Sequence, residues 1–513
     1  MSKNANANAA SHFVDRHAMG AVAQKPAFVE GDGAGRTLTY GDLATQSDRI
    51  ADFYEKHGIH RESRAAMLVL DQIEFPVIFW GSLKAGVVPV PLNTLLATDV
   101  YNTILMDSRA EVLFVSQALL PVVEPVLADN PHLKSVFVLG EAEGFQNFAD
   151  AFADCQPRPA LEVAADEQAF WLYSSGSTGQ PKGVRHTHGS LKFTADTYGA
   201  QVLGIRADDI VYSAAKFFFA YGLGNAMTFP MSVGATTILL SGRPTPDSVL
   251  DILNTHKPTI FCGVPTLYAA LVAHLEGGKG VLEAKLRMCI SAGEALPEEV
   301  GKNWQKLSGA EILDGVGSTE MLHIFLSNQP GDVVYGTSGR AVPGYEIRLV
   351  DETGGEVGNG EVGELLVNGD SAASDYWNQR DKSRSTFEGV WTRTGDKYER
   401  RDDGRLVYCG RTDDMFKVSG IWVAPFEVEQ SLSAHKSVLE AAVVPARDDE
   451  GLEKPKAFVV LNEGADAADI ATTLQEHVKQ QIGKWKYPRW VEIVNELPKT
   501  ATGKIQRFKL RDI

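Results

Sequence analysis

Cysteine is scarce in this chain. Four residues in 513, Cys155, Cys262, Cys289 and Cys409, are too few and too scattered for a disulfide framework or a cysteine metal cluster. Three of them lie in or beside apolar strand-like runs, where a reduced thiol packs as a small hydrophobe. Positive charge is also in deficit: 49 Lys and Arg stand against 66 Asp and Glu, a net charge of −17. That balance gives no attraction to nucleic acid or to a membrane surface, and it opposes long-range steering of anionic ligands, so any positive field must be local. No apolar run approaches the length of a membrane span, and the Asn/Ala-rich start from Met1 to Ala10 lacks a cationic stretch leading into an apolar segment. A soluble, cytoplasmic chain is expected. His186 and His188 have no third metal ligand near them in sequence and read as structural or hydrogen-bonding residues.

What is present is a large capacity for cores. With 44% apolar residues and 513 positions, the chain exceeds one compact domain. From about Leu38 to Ser291 short apolar runs alternate with helical patterns, as in Ala65 to Leu70 followed by the amphipathic stretch Phe75 to Gly86, which predicts α/β layering. Thr259 to Cys262 reads as a strand and Pro265 as the first turn of a helix, while Arg287 to Ser291 and Glu311 to Leu313 are short strands that run into glycine-containing loops. Ligands of open α/β sheets bind beyond the carboxyl ends of such strands. After Gly344 the pattern changes to alternation, with Tyr345, Ile347 and Leu349 on one face, a turn at Thr353 to Gly355 and a run at Gly363 to Val367, which predicts a β-rich subdomain. A final block predicts strands near Val438 to Val444, Ala457 to Leu461 and Trp490 to Val494 and a helix near Ala467 to Ile482. The domain boundary is placed at Arg411, giving units 1–410 and 411–513.

The most informative stretch is Tyr173-Ser174-Ser175-Gly176-Ser177-Thr178-Gly179-Gln180-Pro181-Lys182-Gly183. Its glycines let successive backbone N–H groups converge on phosphate oxygens, its hydroxyls add donors, and Lys182 adds a mobile cation. The spacing is not that of the common P-loop, because Lys182 follows Pro181 and precedes Gly183. Taken alone, the same composition also describes a Gly/Ser surface turn.

The order of this loop resembles the signature of the adenylate-forming superfamily of acyl-CoA synthetases, luciferases and peptide-synthetase adenylation domains. Further matches follow in family order: Ser291 to Leu296, Gly317-Ser318-Thr319-Glu320, Trp391 to Asp396, Gly410 to Asp414, and Pro498 to Ile505. The resemblance implies a large N-terminal domain of layered α/β sheets plus a β-barrel-like subdomain, with a small α+β C-terminal domain on a hinge. It implies ATP, CoA and Mg²⁺ as the small-molecule partners, and an acid activated as its adenylate before transfer to a thiol.

By the same resemblance, Ser174, Ser175, Gly176, Ser177, Thr178, Gly179 and Lys182 handle phosphate. Gly293, Glu294, Ala295, Asp314, Gly315 and Val316 cradle adenine. The family often carries an aromatic residue where this chain has Val316, so adenine stacking is expected to be weaker here or to come from elsewhere. Thr319 binds phosphate and Glu320 holds Mg²⁺, the alternative being a helix-capping Thr-Glu pair. Asp396 takes the ribose hydroxyls with help from Arg411. Lys504 is the catalytic cation, a point charge on a flexible stem suited to bridging a carboxylate and an α-phosphate. Asp413 matches the hinge, and Gly420 lies in a segment that swings in to leave room for pantetheine; a plain polar turn is the alternative for Asp413-Asp414. Ile513 follows closely on Lys504 with no carrier-protein segment after it, so free CoA is the expected acceptor.

The run Ala215 to Gly224 has a composition resembling benzoate-type CoA ligases. Ala220, Tyr221 and Gly222 would form a flat slot for a planar ring, with Gly317, His323 and Ile324 beside it, while Phe217 and Phe218 belong to the core. A benzoate-CoA ligase, monomeric or homodimeric, is the expectation. Alternatives are a hydroxy- or aminobenzoate ligase, a medium-chain acyl-CoA synthetase, an adenylating enzyme serving a carrier protein, and an inactive nucleotide-binding homologue. A serine hydrolase is disfavoured because the serine-rich loop lacks the nucleophile-elbow pattern.

Overall fold

The computed structural model describes residues 7–175, 180–412, 414–418, 421–448, 452–462, 464–465, 469–499 and 505–511. Of the residues singled out by motif, Gly176, Ser177, Thr178, Gly179, Asp413, Gly420 and Lys504 lie outside that set, as does the side chain of Ser175.

The largest sheet among the described residues has nine strands. Its middle is parallel, in the order Ile312–Gly317, Met288–Ser291, Ile260–Gly263, Ile210–Ser213, Thr236–Leu239 and Pro26–Glu30. Antiparallel strands close both sides: Ile324–Ser327 and Arg340–Ala341 at one, Thr37–Thr39 at the other. Met288–Ser291 and Ile260–Gly263 are buried at every position, the mark of strands covered on both faces. A second, fully parallel sheet orders Val88–Pro91, Arg64–Leu68, Val112–Ser116, Ser135–Leu139 and Gln146–Asn147. The helix Glu74–Ala85 follows Arg64–Leu68, and Pro265 opens the helix Pro265–Glu276, where its missing N–H has no intrahelical partner to lose.

Between these layers the rings of Phe28, Phe75 and Phe217 meet, Phe75 and Phe217 stacking at 4.8 Å between centroids. Phe217 and Phe218 are both buried. Burying a ring of this size stabilises by roughly 1.5–3 kcal/mol, which anchors the start of the Phe217 to Tyr221 segment in the core. The Phe217 N–H also donates to Asp71 Oδ1 at 3.2 Å. Two stretches near this segment, Ala195–Val202 and Gly224–Thr228, are wound as π-helix.

A short antiparallel sheet joins Gln168–Ser175, Pro181–Thr187 and Asp375–Tyr376. The β-rich subdomain is an antiparallel sheet of Glu346–Val350, Val362–Asn368, Trp391–Arg400 and Phe387–Glu388, with Leu406–Arg411 paired to Trp391–Arg400. Beyond Arg411 a separate core forms from Val428, Leu432, Val443, Val459, Leu474 and Val478, contributed by the helices Pro425–Ser433 and Ile470–Ile482 and the strands Val438–Arg447 and Glu453–Leu461. Trp490–Ile493 completes that sheet, parallel to Glu453–Leu461. This unit touches the preceding one through the Phe426 ring, 5.1 Å from Tyr408. Among the described residues no helix is long and apolar enough to cross a membrane.

Candidate active site

Side chains alternate across a strand, so Lys182 and His186 share one face of Pro181–Thr187. On that face Lys182 Nζ lies 3.4 Å from Glu320 Oε1 and 3.3 Å from Tyr376 Oη, and 4.4 Å from the centre of the Tyr376 ring. The Tyr376 hydroxyl donates to Glu320 Oε1 at 2.7 Å. Burial would raise the Glu320 acid, but the Lys182 charge and the Tyr376 hydroxyl together outweigh it and hold the carboxyl below its usual range. Burial works on Lys182 in the opposite sense and lowers its ammonium despite the Glu320 charge. The result is a carboxylate and an ammonium held in contact in a mostly dry cleft.

His186 positions the turn that carries Glu320. Burial pushes its imidazole down to about 4, so the ring is neutral and its N–H donates to the Thr319 carbonyl at 2.8 Å. Thr319 and Glu320 sit between the strands Ile312–Gly317 and Ile324–Ser327 with no helix after them, so a helix-capping role is ruled out. Ser318 Oγ accepts from the Met321 N–H at 3.1 Å. Ser174, at the end of the adjacent strand, has a buried hydroxyl without a partner among the described residues. His188 Nδ1 accepts from the Ala9 N–H at 3.2 Å, a contact within the fold.

Asp396 and Arg411 are directly opposite on paired strands. Arg411 Nη1 donates to Asp396 Oδ1 and to the Thr394 carbonyl, both at 3.1 Å. Asp314 faces Ser291 on the neighbouring strand and accepts from the Leu296 N–H at 3.4 Å, while its Oδ1 is buried with no partner among the described residues. Burial pushes this acid up to about 8. Gly293, Glu294 and Ala295 occupy the open loop above Ser291, and Gly315 and Val316 pair with Ser327 and Leu326.

The segment after Phe217 forms a wall of rings. The Tyr221 hydroxyl lies 3.0 Å from both the Gly263 and Ile290 carbonyls, which fixes the phenol against the ends of two central strands. His323 Nε2 lies 3.3 Å from the Tyr221 carbonyl, and its ring is 4.5 Å from Phe229, 5.3 Å from Tyr198 and 5.8 Å from Tyr221. Burial pushes the His323 imidazole down to about 3, so it is a neutral donor. Ala220 is half-buried, and Ile324 is buried beside Gly317. Gly222 packs its backbone against the Lys216 carbonyl, which a Cβ would approach to 2.0 Å. At Gly224 the missing side chain instead admits the His323 ring, which a Cβ would meet at 2.3 Å.

Tyr376 and Phe229 are not singled out by the sequence reading. Tyr376 arrives from a two-residue strand far along the chain, and the one local signal is the aromatic pair Tyr376-Trp377 in the otherwise polar run Ser374 to Gln379.

Similarity to known proteins extends over nearly the whole chain. The model of the AMP-binding enzyme family matches residues 14–377, and that of the AMP-binding enzyme C-terminal domain matches residues 427–504. The chain is 51% identical, over 99% of its length and 94% of the relative's, to a 4-hydroxybenzoate–CoA/benzoate–CoA ligase of Rhodopseudomonas palustris. It is 50% identical, over 98% of its length and 95% of the relative's, to a benzoate–CoA ligase of Thauera aromatica. The crystal structure of a benzoate CoA ligase from Burkholderia xenovorans LB400 superposes with a TM-score of 0.90 at 46% identity, covering 98% of this chain and 99% of that one. The chain belongs to the AMP-binding enzyme family.

Proposed function

We propose that this protein is an AMP-forming aryl-CoA ligase acting on benzoate. The observation that carries the reading is the meeting of Lys182, Glu320 and Tyr376 beside the ring-lined wall of Tyr221, Phe229 and His323. A carboxylate is a poor electrophile, and attack of its oxygen on the α-phosphorus of ATP, with pyrophosphate leaving, gives the mixed anhydride. The CoA sulfur, losing its proton, then attacks the acyl carbon and AMP leaves. The first step needs cations and N–H donors around a five-coordinate phosphorus rather than a protein nucleophile.

Lys182 supplies charge to the phosphates from within the cleft, and Asp396 with Arg411 takes the ribose. Glu320, whose Oε1 takes Lys182 and Tyr376, would hold Mg²⁺ through its hard carboxylate; this ion takes few protein ligands and completes its shell with water and phosphate oxygens. When bound, that ion screens the triphosphate charge. The neutral rings of Tyr221, His323 and Phe229 bind a planar acid without competing for its charge. Lys504 bridges the carboxylate and α-phosphate in the first step, and units 1–410 and 411–513 reorient about Asp413 for the second.

Pyrophosphate release measured over aromatic and aliphatic acids, with and without CoA, tests the reading: benzoate should be the best of the unsubstituted acids, and faster turnover of hexanoate would overturn it. Lys504→Ala should lower adenylate formation by at least ~100-fold, while a synthetic benzoyl-adenylate is still converted to the thioester. Equal loss in both half-reactions would refute the two-orientation scheme.

A further inference from the structure

The helix Arg380–Thr386 belongs to none of the motifs read from the sequence, yet it is tied to the Lys182–Glu320 cleft at several points. Ser383 Oγ accepts from the Tyr376 N–H at 3.0 Å, the Phe387 ring that follows the helix lies 5.3 Å from that of Tyr376, and the Thr386 hydroxyl lies by the Tyr376 phenol. Tyr376 is directly opposite Val184, which shares a strand face with Lys182, and Phe387 packs on both, so the helix borders the face that carries Lys182. Lys382, Ser383 and Thr386 are its half-buried positions, whereas Arg380, Asp381, Arg384 and Ser385 are exposed. With 3.6 residues per turn these two sets are opposite sides of the helix, and Lys382 is on the inner one. Burial lowers the Lys182 ammonium, the Glu320 charge opposes that, and the Lys382 and Arg411 charges add to the lowering, so both cations act on Lys182 across the cleft. The carboxylates at hand are engaged, Glu320 by Lys182 and Asp396 by Arg411, and among the described residues Lys382 makes no ion pair. Three cations against two carboxylates leave a local positive excess in a chain of net charge −17. Like charges gathered in this way repel one another in the free protein, and a polyanion entering the cleft relieves the repulsion.

We propose that Lys382 binds the β- and γ-phosphates of ATP and stays with them as pyrophosphate departs. The inference rests on the aryl-ligase reading and deepens it by adding a residue that holds the leaving group. The Trp377 N–H donates to the Gly183 carbonyl at 2.8 Å, so the chain runs antiparallel to Pro181–Thr187 and heads toward Pro181, the end that the serine-rich motif enters, before it turns into the helix. Lys382 is partly exposed, which leaves its ammonium open to a ligand arriving from solvent. When the carboxylate oxygen attacks, the bond between the α-phosphorus and its bridging oxygen breaks and the electron pair leaves on pyrophosphate. An ammonium beside that anion favours the step, and it has nothing to hold once AMP alone remains. Lys382 thus serves adenylate formation and has no task in thioester formation.

The test compares ATP with AMP binding by titration calorimetry in the full-length protein. Lys382→Gln should weaken ATP by ~10-fold or more and leave AMP within about twofold, because AMP lacks both outer phosphates. Lys382→Arg, which keeps the charge, should recover most of the ATP affinity. In single turnover with benzoate, Lys382→Gln should slow adenylate formation and raise the KM for pyrophosphate in the reverse reaction, each by ~10-fold or more, while CoA still converts a synthetic benzoyl-adenylate at the wild-type rate. Equal weakening of ATP and AMP, or an ATP affinity in Lys382→Gln within about twofold of wild type, would overturn the assignment of Lys382 while leaving the aryl-ligase reading in place. A wild type that binds ATP yet releases no pyrophosphate with any aromatic acid would overturn that reading, and the comparison of ATP with AMP would still decide whether Lys382 holds the outer phosphates.

Discussion

Asp314→Asn should make this protein more stable in alkaline solution and leave it nearly unchanged in acid. The carboxyl is 4% exposed, its Oδ1 has no partner among the described residues, and burial pushes it up to about 8 from an ordinary value of 3.8. A carboxyl whose folded value is raised binds its proton more tightly when folded. Between about pH 4 and pH 8 the unfolded chain has therefore lost a proton that the folded chain keeps, and stability falls as pH rises through that window. At ~1.4 kcal/mol for each pH unit the cost accumulates to roughly 5 kcal/mol by pH 8, an upper figure because an unfolded chain is not fully solvated. Asparagine has the same shape and no charge to bury, so the cost disappears. For a cooperative unit of roughly 400 residues the unfolding entropy near Tm is about 0.8 kcal/mol per degree, so 2–5 kcal/mol corresponds to roughly 3–6 °C. Calorimetry of both proteins at pH 5, 6.5 and 8 gives the difference in Tm, which should widen steadily with pH. Every other titrating group is common to both and cancels in the comparison. A Tm difference that stays constant across these three values would refute the burial argument.

Two further outcomes follow from distances. Tyr376→Phe removes the 2.7 Å hydrogen bond to Glu320 but keeps the ring under Lys182; a hydrogen bond to a charged acceptor contributes ~1.5–3 kcal/mol, so adenylate formation should slow by roughly 10- to 150-fold in single-turnover assays, and a change below twofold would show that the hydroxyl plays no part. Gly222→Ala places a Cβ 2.0 Å from the Lys216 carbonyl, so the segment must shift; a loss of roughly 1–3 kcal/mol in denaturant unfolding is expected, together with a raised KM for benzoate, and wild-type stability would contradict the close approach.

The layers of this fold were legible because periodicity reports burial directly. The continuous apolar runs at Ile260–Gly263 and Met288–Ser291 are strands covered on both faces, and the apolar spacing after Pro265 is a helix, each within a few residues of the sequence-based bounds. The C-terminal helix starts at Ile470 rather than Ala467, with residues 466–468 outside the described set. The ion-paired cleft was only half legible. Lys182 and Glu320 stand in recognisable runs, whereas Tyr376 meets Glu320 across 56 residues and Lys182 across 194 through a strand of two residues, too short for any periodic signal. Buried titration was hidden for the same reason: nothing in the letters around Asp314 or His323 states that both groups lose their water, because the strands and rings that exclude it come from remote segments. Gly222 and Gly224 looked alike in sequence, and only the tertiary contacts separate one that packs on backbone from one that makes room for an imidazole.

The wide winding at Gly224–Thr228 has an implication for how such a pocket diversifies. A π turn closes its revolution with about one residue more than the α turn it replaces, so the extra residue is absorbed locally and the helical faces on either side stay in register. Tyr221 and Phe229 flank that turn, and both rings reach His323 across it. A one-residue difference in chain length across this turn can thus be taken up as a change of winding while Tyr221 and Phe229 keep their relation to each other.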